Sequence, residues 1–161
     1  MLTLKIKNKV VEPAFSYRFY KNIAGKDKEK RSDNFNEFLN GIFSDDSDAV
    51  IDFFRGSFGS DLSDDDIAEQ LEENGSFDDI HALTNEIIRG LSNSGFLATK
   101  IAALKKYDEN LIAGYNKALK FKSTVQSDKD MIQVQIDTLK EHIKMIENRV
   151  KESKSMPSAK K

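Results

Sequence analysis

An alternation of apolar and polar side chains opens the chain. Residues 2–7 alternate with a period of two, which is typical of a half-buried strand. Residues 7–9 are suited to a turn, and Val10-Val11 can begin a return strand. Pro13 lacks the N–H that strand pairing needs, so the pairing must stop before it. The pattern predicts a small N-terminal β-hairpin.

The apolar spacing then changes to three and four residues, which indicates amphipathic helices. Phe15, Phe19 and Ile23 share one helix face, and Gly25 is placed to end that helix. Four more short helices are predicted in the middle of the chain. Their apolar positions are Phe35, Phe38, Leu39, Ile42 and Phe43; Ala49, Val50, Phe53 and Phe54; Ile67, Ala68 and Leu71; and Ile80, Leu83, Ile87, Ile88 and Leu91.

Helix starts in this region are marked by clusters of acidic and hydroxyl side chains. Residues 45–48 place carboxylates where they meet the positive end of a helix dipole. Residues 63–66 have the Ser-x-x-acid spacing of a capping box, and residues 76–79 repeat it. Predicted stops lie at Gly56, Gly59 and residues 93–95.

The last third carries a heptad register that runs from Ile101 to Val150. Polar residues at 108, 122 and 129 interrupt it, but its last six members are aliphatic, as in a coiled-coil seam. They are Ile132, Ile136, Leu139, Ile143, Ile146 and Val150. Two geometries fit: one helix over 98–152, about 80 Å long, or a helical hairpin bent near 123–127. We favour the hairpin, because Ser127 with Asp130 can cap a new helix.

The expected fold is therefore mainly α. It consists of an N-terminal β-hairpin, a compact bundle of short helices, and a long C-terminal helix or helical hairpin with heptad character. We divide the chain into a helical domain over 1–97, a coiled-coil extension over 98–152 and a disordered polar tail over 153–161.

Composition narrows the functional classes. The 161 residues contain no cysteine, which removes disulfides, thiolate metal sites and cysteine nucleophiles. No apolar run approaches the roughly 18 residues of a membrane span. Lysines at 5, 7 and 9 interrupt any secretory signal. We expect a cytoplasmic protein without a membrane partner.

Charge is segregated along the chain although the net charge is only −2. Residues 1–31 hold nine Lys and Arg against three Asp and Glu, residues 32–95 hold two against sixteen, and residues 96–161 hold fourteen against eight. Such a chain can fold its ends onto its middle or offer complementary patches to copies of itself. The C-terminal lysines are interleaved with acids, so we do not expect a nucleic-acid partner.

Candidate chemistry is sparse. His81 and His142 lie on separate predicted helices, and neither has a second histidine at metal-ligand spacing. Residues 61–72 imitate the spacing of a calcium-binding loop, but Asp66 stands where the loop needs glycine. Capping already explains these acids. The sequence predicts no catalytic residue, no cofactor and no metal, and therefore no enzyme.

The order of these elements resembles a known family. A hairpin over 2–11 leads into the aromatic segment 15–20, and an Asp-rich helix start follows at 44–52. The phrase Leu-Ser-Asp-Asp-Asp-Ile occupies 62–67, and a helix ends in Gly-Leu-Ser-Asn-Ser-Gly-Phe at 90–96. Over residues 1–97 this is similar to the tail assembly chaperones of long-tailed phages and prophages of Gram-positive bacteria. The heptad-bearing segment after Phe96 departs from that family.

The resemblance implies a non-enzymatic protein that acts in the host cytoplasm and leaves before the virion is mature. It implies self-association into homo-oligomers, binding to the tape measure protein and recruitment of tail tube protein. The alternative is a coiled-coil adaptor, a structural interaction protein without chaperone activity, that dimerises through the aliphatic seam.

Partner-binding side chains are predicted in two places. The first is the aromatic group Phe53, Phe54 and Phe58, since aromatic anchors dominate many interfaces; the competing interpretation is that they form core. The second is the seam from Ile132 to Val150, which would meet a client or another copy.

Overall fold

The computed structural model describes residues 2–7, 9–59, 62–121 and 125–155. The fold is mainly helical, with a two-stranded N-terminal hairpin and a long C-terminal helix, as the sequence predicted. The elements are β1 (Leu4–Ile6), β2 (Lys9–Val11), α1 (Tyr17–Ala24), α2 (Arg31–Phe43), α3 (Ser47–Phe58), α4 (Asp64–Glu73), a 3-10 turn (Ser76–Asp79), α5 (Ile80–Asn93), α6 (Gly95–Ala118) and α7 (Gln126–Ser155).

The hairpin is antiparallel and is attached to the helices. Leu4 pairs with Val11 and Ile6 with Lys9, while Asn8 of the predicted turn lies outside the described residues. The Gln70 side chain on α4 accepts from the Lys5 N–H at 2.7 Å and donates to the Lys5 carbonyl at 3.2 Å. These two bonds satisfy backbone groups on the edge strand and fix it beside α4.

Phenylalanines form the centre of the core. Phe19 on α1 makes edge-on contacts with Phe35, Phe38 and Phe53, with ring centroids 5.5–6.3 Å apart. Such pairs add specific geometry to apolar burial. The buried cluster continues through α4 and α5 into Leu97, so α1 to α6 share one core.

Capping chemistry sets the helix starts, with one correction. The Ser63 hydroxyl accepts from Asp66 N–H, and the Asp66 carboxylate accepts from Ser63 N–H, so the capping box before α4 is confirmed. The Ser76 box is wrong. Residues 76–79 form a 3-10 turn, and Asp79 caps α5 by accepting from the Ala82 N–H at 2.9 Å.

Two glycines allow close packing between elements. Gly56 does not break α3 as predicted; it lies inside the helix, where an added Cβ would come within 2.4 Å of Ile23. A Cβ at Gly90 would meet the Phe15 ring at 2.0 Å. At both places a missing side chain makes room for a core residue, and α3 ends only at Gly59.

The C-terminal third is a helical hairpin. The break between α6 and α7 agrees with the hairpin geometry that we favoured over one long helix, and residues 122–124 at the bend lie outside the described residues. α7 packs against both α6 and α5. Of the predicted tail, residues 153–155 are the last turn of α7, with Ser153 buried, and residues 156–161 lie outside the described residues.

Candidate interaction surfaces on the C-terminal hairpin

The hairpin has two halves with different surroundings. We call the base residues 95–108 and 142–155, which pack on the rest of the molecule, and the arm residues 109–121 and 125–141. In the base, Leu97, Ile101, Leu104 and Ile146 are buried and belong to the main core. In the arm, Ile136 is the one fully buried side chain among the described residues. The base is a third layer of a folded domain, whereas the arm is two helices alone.

Arg149 attaches the base to the bundle through a buried polar cluster. This residue is 7% exposed. Its guanidinium donates to the Asn85 amide oxygen at 3.0 Å, to the Phe43 carbonyl at 3.0 Å and to the Thr84 hydroxyl at 2.6 Å. It also lies 2.8 Å from the Asp45 carboxylate. A buried arginine requires this degree of pairing, because an uncompensated charge there is strongly destabilising.

His81 extends this cluster to the surface. Its Nδ1 lies 2.8 Å from the Asp45 carboxylate and its Nε2 lies 3.0 Å from the Glu152 carboxylate. These two hydrogen bonds raise the pKa of His81. Burial pushes the pKa of Asp45 upward, but hydrogen bonds from Thr84, Arg149 and His81 together outweigh it and lower that pKa. The cluster therefore favours a charged His81 between two carboxylates, joining the α2–α3 turn to the end of α7.

A second polar pair lies where the base meets the arm. Asp108 is 4% exposed, and its carboxylate lies 2.6 Å from His142 Nδ1. Position 108 is one of the polar interruptions of the heptad register, and its partner stands one residue before Ile143 of the seam. The pair fixes which residue of α6 faces which residue of α7, because a shift of register would leave the buried carboxylate without a partner.

An open groove runs along the outer side of the base, between α6 and α7. Its volume is about 540 Å³, and Ala98, Ile101, Ala102 and Val150 form an apolar floor. Its edges carry four lysines and two glutamates: Lys105, Lys106, Glu109, Glu147, Lys151 and Lys154. The groove thus combines apolar surface with a positive rim.

The groove's lysines are unevenly paired. Lys105 forms an ion pair with Glu147 across the helices, and Lys106 lies 3.4 Å from Glu109. Lys151 and Lys154 form no ion pair with any residue that the structure describes. One end of the groove therefore offers positive charge that no acid among the described residues neutralises.

The arm leaves large apolar side chains in water. Met131 is 69% exposed and Val134 is 61% exposed on α7, and Phe121 and Val125 are similarly open at the bend. Between the two arm helices, the described aliphatic residues other than Ile136 are at most half-buried. Met131 and Val134 are three residues apart and share one face of α7, and grouped apolar surface of this kind is typical of an interaction site.

The predicted partner-binding residues are divided between core and hairpin. Phe53 and Phe54 are fully buried, so they are core residues with no surface for a partner, as the competing interpretation held. Phe58 is half-buried and stacks on Phe54. Of the predicted seam, Ile136 and Ile146 are buried within the chain, and the half-buried members are Ile132, Leu139, Ile143 and Val150.

The sequence pattern predicted neither the Arg149 cluster nor the groove. One signal for the cluster was available: Thr84 and Asn85 interrupt the apolar face of α5 between Leu83 and Ile87, and polar residues on a buried face need partners. The groove carries no local signal. It depends on which lysines of α6 and α7 meet across the hairpin, which requires the register.

The described residues offer neither a metal-ligand cluster nor a helix suited to spanning a membrane. They contain no group of three or more His, Asp or Glu residues that could hold a metal. Asp61 of the calcium-like spacing lies outside them; Asp66 serves the capping box and Asp64 pairs with Arg55 at 2.8 Å. None of the described helices is both long and apolar enough to cross a membrane.

No protein-family model, no curated protein and no solved structure matches the chain.

Proposed function

We propose that this protein is a phage tail assembly chaperone, which self-associates, binds the tape measure protein and recruits tail tube subunits. It acts in the host cytoplasm and departs before the virion is mature. The observation that carries the proposal is the bend end of the arm, which exposes Phe121 and Val125. The order of elements over residues 1–97, which resembles that family, supports it independently.

The physical reason is the match between the arm and a long helical client. An amphipathic client helix must hide its apolar stripe until assembly, and a hairpin with an open apolar face can cover it by helix-to-helix packing. The base anchors the arm to the bundle, because its buried residues belong to the main core. No covalent chemistry is required for this role.

The coiled-coil adaptor loses its principal support. That alternative needs the seam from Ile132 to Val150 to face another chain, but Ile136 and Ile146 are covered by this chain itself. An adaptor built on this seam would first have to open the α6–α7 hairpin.

Co-expression with the tape measure protein tests the proposal. The client is the very long helical protein that the neighbouring downstream gene should encode. We expect the tagged chain to co-purify with it and to keep it soluble. The double variant Phe121→Ser, Val125→Ser should reduce recovery of the client at least fivefold, because apolar contact area at the bend is lost.

A matched control is Val10→Ser, which removes an equally exposed apolar side chain from β2. It should leave recovery unchanged. If the wild-type chain fails to retain the tape measure protein under conditions where both are folded, the proposed function is wrong.

A further inference from the structure

The arm of α7 carries an acidic ridge beside its exposed apolar residues. Asp130, Val134, Asp137 and Glu141 are spaced at i, i+4, i+7 and i+11, so they share one face of the helix, and Met131 lies next to them. Asp130 accepts a hydrogen bond from Gln126, Asp137 accepts one from Gln133 and lies 3.7 Å from the Lys140 ammonium, and both carboxylates remain exposed. This face therefore offers two apolar anchors flanked by carboxylates.

The groove of the base offers the reverse arrangement. Its floor is apolar, and its rim holds four lysines against two glutamates, with Lys151 and Lys154 unpaired among the described residues. Ala98 and Ala102 are one turn apart on α6, and their small side chains allow another helix to approach closely.

The two surfaces also agree in length. The acidic face from Asp130 to Glu141 spans about 16 Å along the helix, and the groove from Ala98 to Glu109 spans the same distance, because both cover eleven residue steps. Three helical turns with an apolar pair near one end and carboxylates along the rest can therefore lie along the groove with those carboxylates near its lysines.

We infer that the arm of one copy docks into the base groove of a second copy, with Met131 and Val134 on the alanine floor and the acidic ridge against Lys151 and Lys154. The two surfaces differ, so the contact is head-to-tail, and each added copy presents a fresh arm and a fresh groove. The result is an open chain of subunits instead of a closed dimer. This inference rests on the proposed function only in giving the repeat a use along an elongated client.

Two other occupants from the same sequence fit the groove less well. The acidic helix α4 turns its apolar residues Ile67 and Leu71 into the core, so it would bring charge without an apolar stripe. The residues after Ser155 carry Lys160 and Lys161 and no acidic side chain, so their charge has the same sign as the rim.

Complementation between two variants tests the inference. The arm variant Met131→Lys, Val134→Lys keeps an intact groove, and the groove variant Lys151→Glu, Lys154→Glu keeps an intact arm. The substituted side chains are exposed, so both variants should fold as the wild type does. Sedimentation velocity should show the wild type forming a concentration-dependent ladder of oligomers, and each variant alone staying monomeric.

Mixed in equal amounts, the two variants should form a 1:1 complex that does not grow further, because only one intact arm and one intact groove remain. The wild-type association should weaken at least tenfold when salt is raised from 50 to 500 mM, as exposed charge pairs are screened. Combining Asp130→Lys and Asp137→Lys with the groove variant should restore part of the ladder by exchanging the charges.

Controls at other surfaces isolate the contact. Lys26→Glu with Lys28→Glu makes the same charge change as the groove variant. Val10→Lys makes one of the arm variant's two exposed apolar-to-lysine changes at a distant site. Both controls should oligomerise normally. A wild type that stays monomeric, a mixture that stays monomeric, or a groove variant that oligomerises while losing the tape measure protein would overturn the inference. The last outcome would assign the groove to the client. Retention of the tape measure protein by monomeric variants would leave the proposed function standing, so the two failures are distinguishable.

Discussion

The base and the arm of the C-terminal hairpin are built from the same two helices and the same heptad pattern, yet they differ in burial. In the base, Ile146 is fully buried and belongs to the main core, where α7 packs on α5 as well as on α6. In the arm, Ile132 and Leu139 have only the opposite helix of the hairpin to pack on, and they remain half-exposed. A periodic apolar pattern therefore identifies a stripe, but the number of neighbouring elements decides how much of that stripe is covered.

The two halves also differ in how polar groups are used. The base holds Arg149 among partners that satisfy it from α5 and from the turn after α2. In the arm, the polar contacts of α7 are exposed and lie within the helix itself, such as Gln133 with Asp137 and Gln126 with Asp130. Buried polar networks give a unique geometry, whereas exposed pairs contribute little. We therefore expect the base to be rigidly placed and the arm to depend on a partner for its final cover.

The largest loss of stability is expected when the Arg149 guanidinium is removed from the base. Arg149→Met keeps much of the side-chain volume but leaves the Asn85 amide oxygen and the Phe43 carbonyl without their donor, and it takes from Asp45 its arginine partner. We expect a loss of about 3–5 kcal/mol in the free energy of unfolding, the range for breaking a buried charge pair on one side. Urea unfolding followed by circular dichroism measures it.

Lys151→Met is the matched control, since it removes a cation two residues away on the exposed groove rim. Its effect should be within about 0.5 kcal/mol. Hydrogen exchange should also show faster exchange over residues 142–155 in Arg149→Met. Equal stability of the two variants would mean that the cluster does not hold the base.

How far the sequence predicts this architecture depends on the range of the interactions involved. Local spacing and local hydrogen bonds determine the N-terminal β-hairpin, the order of the helices, the Ser63 cap and the break after α6. The structure confirms all four. Local rules failed at Gly56, because the reason for that glycine is the distant Ile23. They failed again at Ser76, because the acidic residue three places on caps the next helix itself.

The interaction surfaces depend on longer-range packing, which explains why less of them was predicted. Phe53 and Phe54 have the composition of interface anchors, but the same composition suits a core, and only the position of α1 and α2 decides between them. The Arg149 cluster joins residues that are 64 to 106 positions apart in the chain. No pattern within one helix can reveal such a site.

A smaller effect on stability is expected when one methylene is removed from the base or from the arm. Ile146→Val in the base should lower the free energy of unfolding by about 1 kcal/mol, since a buried methylene is lost and the fixed surroundings cannot close the gap. Ile132→Val in the arm should cost no more than a few tenths of that value, because the side chain is half-exposed and its neighbours can adjust. The midpoints of urea unfolding, compared at equal slope, give both numbers.

The two substitutions are controls for each other, because the chemical change is identical and both sit in the same heptad seam of α7. If Ile132→Val costs as much as Ile146→Val, the arm is covered in solution. Measuring the unfolding of both variants over a range of protein concentrations would then show whether a second copy covers the arm.

The smallest expected effect concerns the ionic contact at the outer edge of the base. Asp45 and Glu152 hold the pKa of His81 above its ordinary value of 6.5. A group whose pKa is raised on folding adds stability that is fully present below the unfolded value and is lost as the pH rises through the folded value. We therefore expect His81→Gln to destabilise the protein by about 1 kcal/mol or less at pH 5.5, where the exposed pairs are intact, and the variant and wild type to converge by pH 9.

The contribution of Asp45, whose pKa is lowered, is complete above its ordinary value of 3.8, so it does not interfere in this range. Glu141→Gln, which removes an α7 carboxylate that pairs with no described histidine, should show no such pH dependence. A His81→Gln effect that stays constant from pH 5.5 to pH 9 would show that the imidazole joins the base to the α2–α3 turn as a neutral hydrogen-bonding group and carries no charge there.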